Sequence, residues 1–299
     1  MSERKGNSSK GKGNNMKAIK KNRKLAAIAS AALGIVLAFG LAACGGSSSS
    51  SSGSASASAA SDDKVIKVAA SPTPHAVILN EAVAPQVEKA GYKLEVVEFT
   101  DYVLPNTATE DGEVDANYFQ HIPYLDKFNE ENGTHLVNVA AVHIEPMSVY
   151  AGKTASFDEL ADGATVAVPN DTTNEARALA LLQKAGLIEL NDPNDLAATP
   201  KDIKSNPKNL QFKEVEAATV PTILPDVDIA VINTNYAIGA NLSKDLILIT
   251  ESAESPYVNV LVVKEGNENS EKTKVLIDAI SSQEVKDYIA ANFEDCVAV

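Results

Sequence analysis

A β-branched run, an amphipathic stretch closed by glycine and a second alternating run follow one another between residues 64 and 100, and this succession limits the fold more than any other feature of the chain. "KVIKVAA" (64–70) reads as a strand, "PHAVILNEAVAPQVEKAGY" (74–92) has helical spacing with a stop at Gly91, and "KLEVVEFT" (93–100) alternates as a half-buried strand does. A βαβ unit of this size implies parallel strands joined by a right-handed crossover, which sets the class as α/β.

The remaining segments extend that pattern. "TATEDGEVDANYF" predicts a short helix leading to a turn at Asp111-Gly112, "HIPYLDKFNEENG" a helix stopped at Gly133, and "HLVNVAAVHIEPMSVYAG" (135–152) strands. A second set follows: a short helix in "SFDELADG", the strand "TVAVP" (165–169), the capped helix "TTNEARALALLQKAG", and the strands "LQFKEVEA" (210–217) and "DIAVINT" (228–234). "SPYVNVLVVKEG" returns to a strand, and "EKTKVLIDAISSQEVKDYIAANF" is helical. Two βα-rich modules, with chain crossings near Pro146–Val149 and Glu254–Tyr257, predict two doubly wound lobes around a cleft. Residues 64–147 with 256–299 would form one lobe and 148–255 the other. A single continuous α/β domain is the alternative.

The N-terminal part stands outside this pattern. Residues 1–24 hold nine Lys and Arg against one acid, and an apolar run of 19 residues extends to Ala43. That is the layout of a secretory signal, residues 1–43, with Met16 as a second start point. "LAAC" (41–44) resembles the lipobox of bacterial lipoproteins, which implies cleavage before Cys44 and diacylglycerol on its sulfur; a plain membrane-spanning anchor is the alternative. The low-complexity stretch up to residue 63 cannot bury apolar surface and predicts a disordered tether with a reach of roughly 20–25 Å. Loss of the signal takes the net charge from −14 to about −22. A body this acidic argues against nucleic acid or anionic lipid as a partner and leaves attachment to the lipid. With Cys44 lipidated, Cys296 has no intramolecular partner.

Signatures of chemistry are sparse. The histidines at 75, 121, 135 and 143 show no metal-ligand spacing, and CxxC and G-x-S-x-G are absent. "GKT" (152–154) lacks the upstream glycine of a phosphate-binding loop, because Met147 stands there. No catalytic residue, metal or cofactor is expected. The strand-turn-helix "VPNDTTNEARALALL" (168–182) is a candidate anion site: Asn174 and Arg177 share one face of the first turns, and an Arg there suits a carboxylate. The alternative is a surface Arg paired with a local acid such as Glu175. "AVINTNYA" (230–237) ends a strand in Asn233, Thr234 and Asn235, which either close a turn or face a ligand. "DANYFQHIPYL" (115–125) concentrates three aromatic rings and an imidazole, as a pocket wall, a core element or a catalytic histidine would.

Seven segments in order, "SPTPHAVIL", "FTDYVLPN", "DANYFQHIPYL", "VPNDTTNEARALALLQKAGLI", "NPKNLQF", "AVINTNYA" and "ESPYVNVLVV", resemble the NlpA lipoprotein family, the methionine-binding lipoproteins of ABC importers. The resemblance runs from about residue 66 to 292. It implies a two-lobed periplasmic-binding-protein-like fold of type II, with a ligand cleft between lobes joined by two crossovers. It further implies that Arg177 binds the carboxylate of an amino acid, that Asn174 and Asn233 bind polar groups of its backbone, and that Tyr102, Phe119, His121 and Tyr124 wall its thioether side chain. The partners implied are methionine or a related small molecule, the permease and ATPase subunits of an importer, and the membrane through the N-terminal lipid at its extracytoplasmic face. Other ligands compatible with the fold are D-methionine, a methionyl dipeptide or another amino acid. Rival classes are a lipid-anchored hydrolase, which needs a nucleophile–base pair, and a surface lipoprotein without a transport role.

Overall fold

The computed structural model describes residues 63–252 and 254–299. The expected signal at 1–43, Cys44 and most of the serine-rich tether lie outside these residues. Among the described residues, no helix is long and apolar enough to cross a membrane.

The first strand, β1 (Val65–Ala70), leads through the helical turns Pro72–Ala76 and Leu79–Val83 into α1 (Ala84–Lys89) and then β2 (Lys93–Glu98). β1 and β2 pair in parallel, as the spacing predicts. The next elements are α2 (Leu104–Glu110), β3 (Ala116–His121), α3 (Ile122–Asn132) and β4 (Leu136–Ile144). β3 corrects the sequence reading, which placed a helix and turn over "TATEDGEVDANYF" and no strand. All six residues of β3 are buried, so it shows no alternation of apolar and polar side chains to betray its period. α3 starts on Pro123 in its first turn, with the His121 ring accepting from Tyr124 N–H at 3.1 Å, and ends at Gly133 in the left-handed region (φ 66°).

The second half begins with β5 (Ser148–Ala151) and β6 (Thr165–Pro169). Bends and turns replace the helix expected in "SFDELADG", where Asp162-Gly163 and the short apolar content favour a loop. α4 (Thr172–Lys184) is capped by Asp171, which accepts from Asn174 N–H at 3.1 Å. The chain continues through β7 (Glu189–Leu190), β8 (Ile203–Ser205), β9 (Gln211–Val215), α5 (Val220–Ile223), β10 (Ile229–Ile232), α6 (Thr234–Gly239) and β11 (Ile247–Thr250). It closes with β12 (Val258–Lys264), α7 (Glu271–Ile280), α8 (Gln283–Asn292) and β13 (Val297–Ala298). The long C-terminal helix of the sequence reading is thus two helices, interrupted at Ser281–Ser282, where Ser282 turns extended (ψ 154°) to start α8.

The strands form two main sheets. One has the order β13-β4-β12-β3-β1-β2 and the other β11-β5-β10-β6-β9. Parallel pairing holds for β1, β2 and β3 and for β6, β9 and β10, whereas β12 and β5 run antiparallel to their neighbours. The chain passes from the first sheet to the second between β4 and β5, and back between β11 and β12. This is the two-lobed arrangement with two crossovers. Each sheet has its own apolar core, one around Ile66, Ile78, Leu79, Tyr118 and Leu261, the other around Met147, Val166, Leu179, Leu182 and Ile229.

One close approach inside the second lobe is testable. A Cβ on Gly152 would press on the backbone carbonyl oxygens of Leu224 and Val227, neither of which can rotate away. Gly152→Ala is expected to lower stability by about 1–3 kcal/mol, the cost of overpacking. Urea denaturation that leaves the midpoint unchanged would show that the second lobe tolerates a wider spacing there.

Candidate ligand-binding site

The parallel strands of both sheets end at a common crevice, and each hands the chain to a helix. β3 runs into α3 at His121, β6 into α4 through Asp171, and β10 into α6 through Asn233. Ligands of open α/β sheets bind beyond the carboxyl ends of the strands. The crevice holds a cavity with Tyr102, Phe119, His121 and Tyr124 on one side and Asn174, Arg177 and Asn233 on the other. The structure therefore brings together all seven side chains singled out in the sequence. Arg177, at 3% exposure, is no surface residue, and its partner is Glu251 rather than the local Glu175.

The apolar wall is a ring cluster. Tyr102 lies 5.8 Å from both Phe119 and Tyr124 in ring centroids, and Phe119 lies 6.1 Å from Tyr124 in an edge-to-face arrangement. The Tyr124 hydroxyl donates to the Tyr102 carbonyl at 2.9 Å, and the Tyr102 hydroxyl donates to Asn235 Oδ1 at 2.7 Å. Burial pushes both phenols well above their ordinary values, so the wall stays uncharged.

The polar end is built from amides and charges. Asn174 Oδ1 accepts from Asn233 Nδ2 at 2.9 Å and bonds His121 Nε2 at 3.2 Å, while Asn174 Nδ2 donates to Asp171 at 2.9 Å. Among the described residues Asn233 Oδ1 is buried without a hydrogen-bond partner, an acceptor left open at the cavity. Arg177 donates from Nε and Nη2 to Glu251 and from Nη2 to the Glu145 carbonyl at 2.8 Å. Its guanidinium carbon sits 4.2 Å from the Tyr257 ring centroid.

Sequence reasoning did not single out Glu145, Gln120 or Asn259, although all three line the same cavity; Thr234 and Asn235, which it left between a turn and a ligand contact, line it too. Glu145 is the most consequential. Its Oε1 lies 2.8 Å from His143 Nε2 and 3.2 Å from His75 Nε2, and these donor atoms fall within 4.8 Å of one another. A carboxylate oxygen only accepts, so His143 Nε2 donates to it, whereas His75 Nε2 hydrogen-bonds Asn259 Oδ1 at 3.1 Å with the carboxylate close beside it. Ser71 and Tyr118 hold the other ring nitrogens at 2.8 and 2.6 Å. Burial alone would raise Glu145, but His75, His143 and Arg177 outweigh it and hold the carboxyl below its ordinary value. The one signal in the sequence was an acid lodged between an apolar strand and Pro146.

Cleft, crossovers and paired sheets define a two-lobed solute-binding protein of the periplasmic-binding-protein-like type. The chain belongs to the NlpA lipoprotein family, whose sequence pattern matches residues 66–298. It is 42% identical over 272 residues to the methionine-binding lipoprotein MetQ of Bacillus subtilis, spanning 89% of this chain and 96% of that protein. Against the D-methionine-binding lipoprotein MetQ of Escherichia coli the identity is 49% over 209 residues, 69% of this chain and 76% of the other. The solved structure of a nutrient-binding protein from Burkholderia cenocepacia bound to methionine aligns with a TM-score of 0.74 at 42% identity, covering 78% of this chain and 99% of that one.

The buried imidazoles make stability depend on pH in a definite direction. Burial, reinforced by the Arg177 charge, takes His121 down to about 3, and burial takes His75 down to about 4. Below pH 6.5 the unfolded chain takes up protons that the native state refuses, so each group costs up to about 1.4 kcal/mol per pH unit as pH falls toward its native value. Glu145 adds to this loss, whereas Asp171 and Glu175, both raised by burial, oppose it. His121→Asn preserves a capping side chain and removes one such group. Between pH 7 and 5 it should lose about 2 kcal/mol less stability than the parent. Urea titrations at the two pH values giving parallel losses would contradict a neutral, buried His121.

Proposed function

We propose that this chain is the membrane-tethered solute-binding component of an ABC importer, which closes two lobes, 64–147 with 256–299 and 148–255, on methionine and delivers it to permease and ATPase subunits. It performs no chemistry itself. The observation that carries this reading is a single cavity with two opposite characters. At one end stand Arg177, Asn174, Asn233 and Glu145, which suit the carboxylate and ammonium of an amino acid. At the other stand uncharged rings, against which a thioether gains about 0.3–1.5 kcal/mol for each favourable contact. The B. cenocepacia relative bound to methionine supports the same ligand class. The name of the E. coli relative supports D-methionine as a second reading.

The ligand is tested on the soluble fragment 64–299 with the twenty amino acids, D-methionine, Gly-Met and methioninol. At a hundredfold excess over Kd a true ligand stabilises by about 2.7 kcal/mol, which raises Tm by several degrees. Methionine of one or both hands should give this shift, and methioninol, which lacks the carboxylate, should bind at least tenfold more weakly. Arg177→Ala should cost a comparable factor in calorimetry; it should also lower the urea midpoint, since it leaves Glu251 without its partner. A shift with glutamate or histidine and none with any methionine compound would refute the specificity.

The anchor is proposed to be a lipid on Cys44, supported by the "LAAC" pattern and the family. Cys44→Ala should release the protein from membranes. Retention of the variant through carbonate washing, to the same extent as the parent, would point to a spanning segment instead.

A further inference from the structure

We propose that Glu251 is a positioning residue for the ligand's carboxylate, acting through Arg177 and tying carboxylate recognition to both connections between the lobes. The proposal rests on the reading of Arg177 as the carboxylate anchor. Glu251 takes the Nε–Nη2 edge of the guanidinium, with Nε 3.1 Å from each carboxylate oxygen and Nη2 2.6 Å from Oε2. Nη2 is further committed to the Glu145 carbonyl. Among the described residues no hydrogen bond is made by Nη1, and Arg177 lines the cavity, so one nitrogen is left for an incoming anion.

Glu251 is itself fixed by the opposite connection. Its Oε2 accepts from Met147 N–H at 3.2 Å, and its own N–H donates to the Met147 carbonyl at 2.9 Å. Met147 lies between β4 and β5, and Glu251 directly after β11, so the two chain passages between the sheets meet at this pair. The guanidinium that faces the cavity is therefore fastened at both passages, by Glu251 on one and the Glu145 carbonyl on the other.

The arrangement also solves a charge problem. Two carboxylates compete for one guanidinium: Glu145, buried in the cavity wall, and Glu251 behind it. In an empty cavity a guanidinium free to choose would fold onto Glu145, and the groups suited to the two ends of an amino acid would satisfy each other. Occupying two of the three guanidinium nitrogens from behind keeps the positive and negative poles apart. Tyr257 lies over the guanidinium at 4.2 Å and covers one face of it.

The test is a double-mutant cycle read as methionine affinity by calorimetry at up to millimolar ligand, on the fragment 64–299 with wild type, E251Q, R177A and R177A/E251Q. E251Q should weaken binding at least tenfold in the parent but change it less than twofold in the R177A background. Equal losses in both backgrounds would show that Glu251 merely braces the connection, and overturn the proposal; so would an E251Q variant that binds like wild type. If R177A itself binds methionine like wild type, it is the carboxylate reading of Arg177 that fails. Should E251Q not fold, E251D, which retracts the carboxylate by one methylene, carries the same cycle with the same outcomes.

Discussion

The cleft is organised around the Arg177 guanidinium, a charge almost removed from water. An unpaired buried charge costs several kcal/mol, so Arg177 is compatible with this fold only with partners at hand. Those partners, Glu251 and the Glu145 carbonyl, lie on the two chain passages between the sheets. One ion pair thus fixes where α4 begins relative to both passages. From that start the first turn of α4 follows: Asp171 caps it, Asn174 turns its amide toward His121 and Asn233, and Arg177 comes one turn later on the same face.

The opposite wall obeys a different rule. Its side chains are bulky, buried and uncharged, and their polar tips are spent on protein groups, as when the Tyr124 hydroxyl meets the Tyr102 carbonyl. His121 belongs to this wall in its neutral form and also reaches across to Asn174. A cavity with fixed charge at one end and rings at the other orients a zwitterion with an apolar tail when the two halves are together. A ligand with a charged side chain would leave that charge against the rings without partners, a cost well above that of one missing methylene.

Legibility in the sequence followed the range of the interactions. The βαβ unit, the capped helix α4 and the glycine that ends α3 rest on spacing within a dozen residues, and all three were readable. So was the face shared by Asn174 and Arg177. β3 was not, because a strand buried on both faces has no alternation to detect, and its aromatic run gave no period. Asn259 and Glu251, and Glu145 through its contact with His75, are defined by residues tens of positions or more away, to which no local pattern points. β13, two residues long, exists only through its pairing with β4. The residues of the aromatic wall were assigned through family resemblance rather than through any physical signal in the run itself.

Hydrogen bonds span the cleft at several points besides Arg177. The Tyr102 hydroxyl meets Asn235, the Tyr236 hydroxyl meets the Thr100 carbonyl at 3.1 Å, and the Thr172 hydroxyl meets Glu131 at 2.9 Å. Each such bond exchanges for one with water on opening and so contributes only about 0.5–1.5 kcal/mol net. A few of them hold the two halves together by no more than a few kcal/mol, close to the difference that a ligand contacting both halves supplies. A binding protein that must release its cargo needs that balance, since a ligand shifts an opening equilibrium only by its difference in affinity for the two states. Cross-cleft contacts made largely of neutral groups, with the strong ion pair kept at the passages between the sheets, leave the cleft easy to open without loosening the site that recognises the ligand.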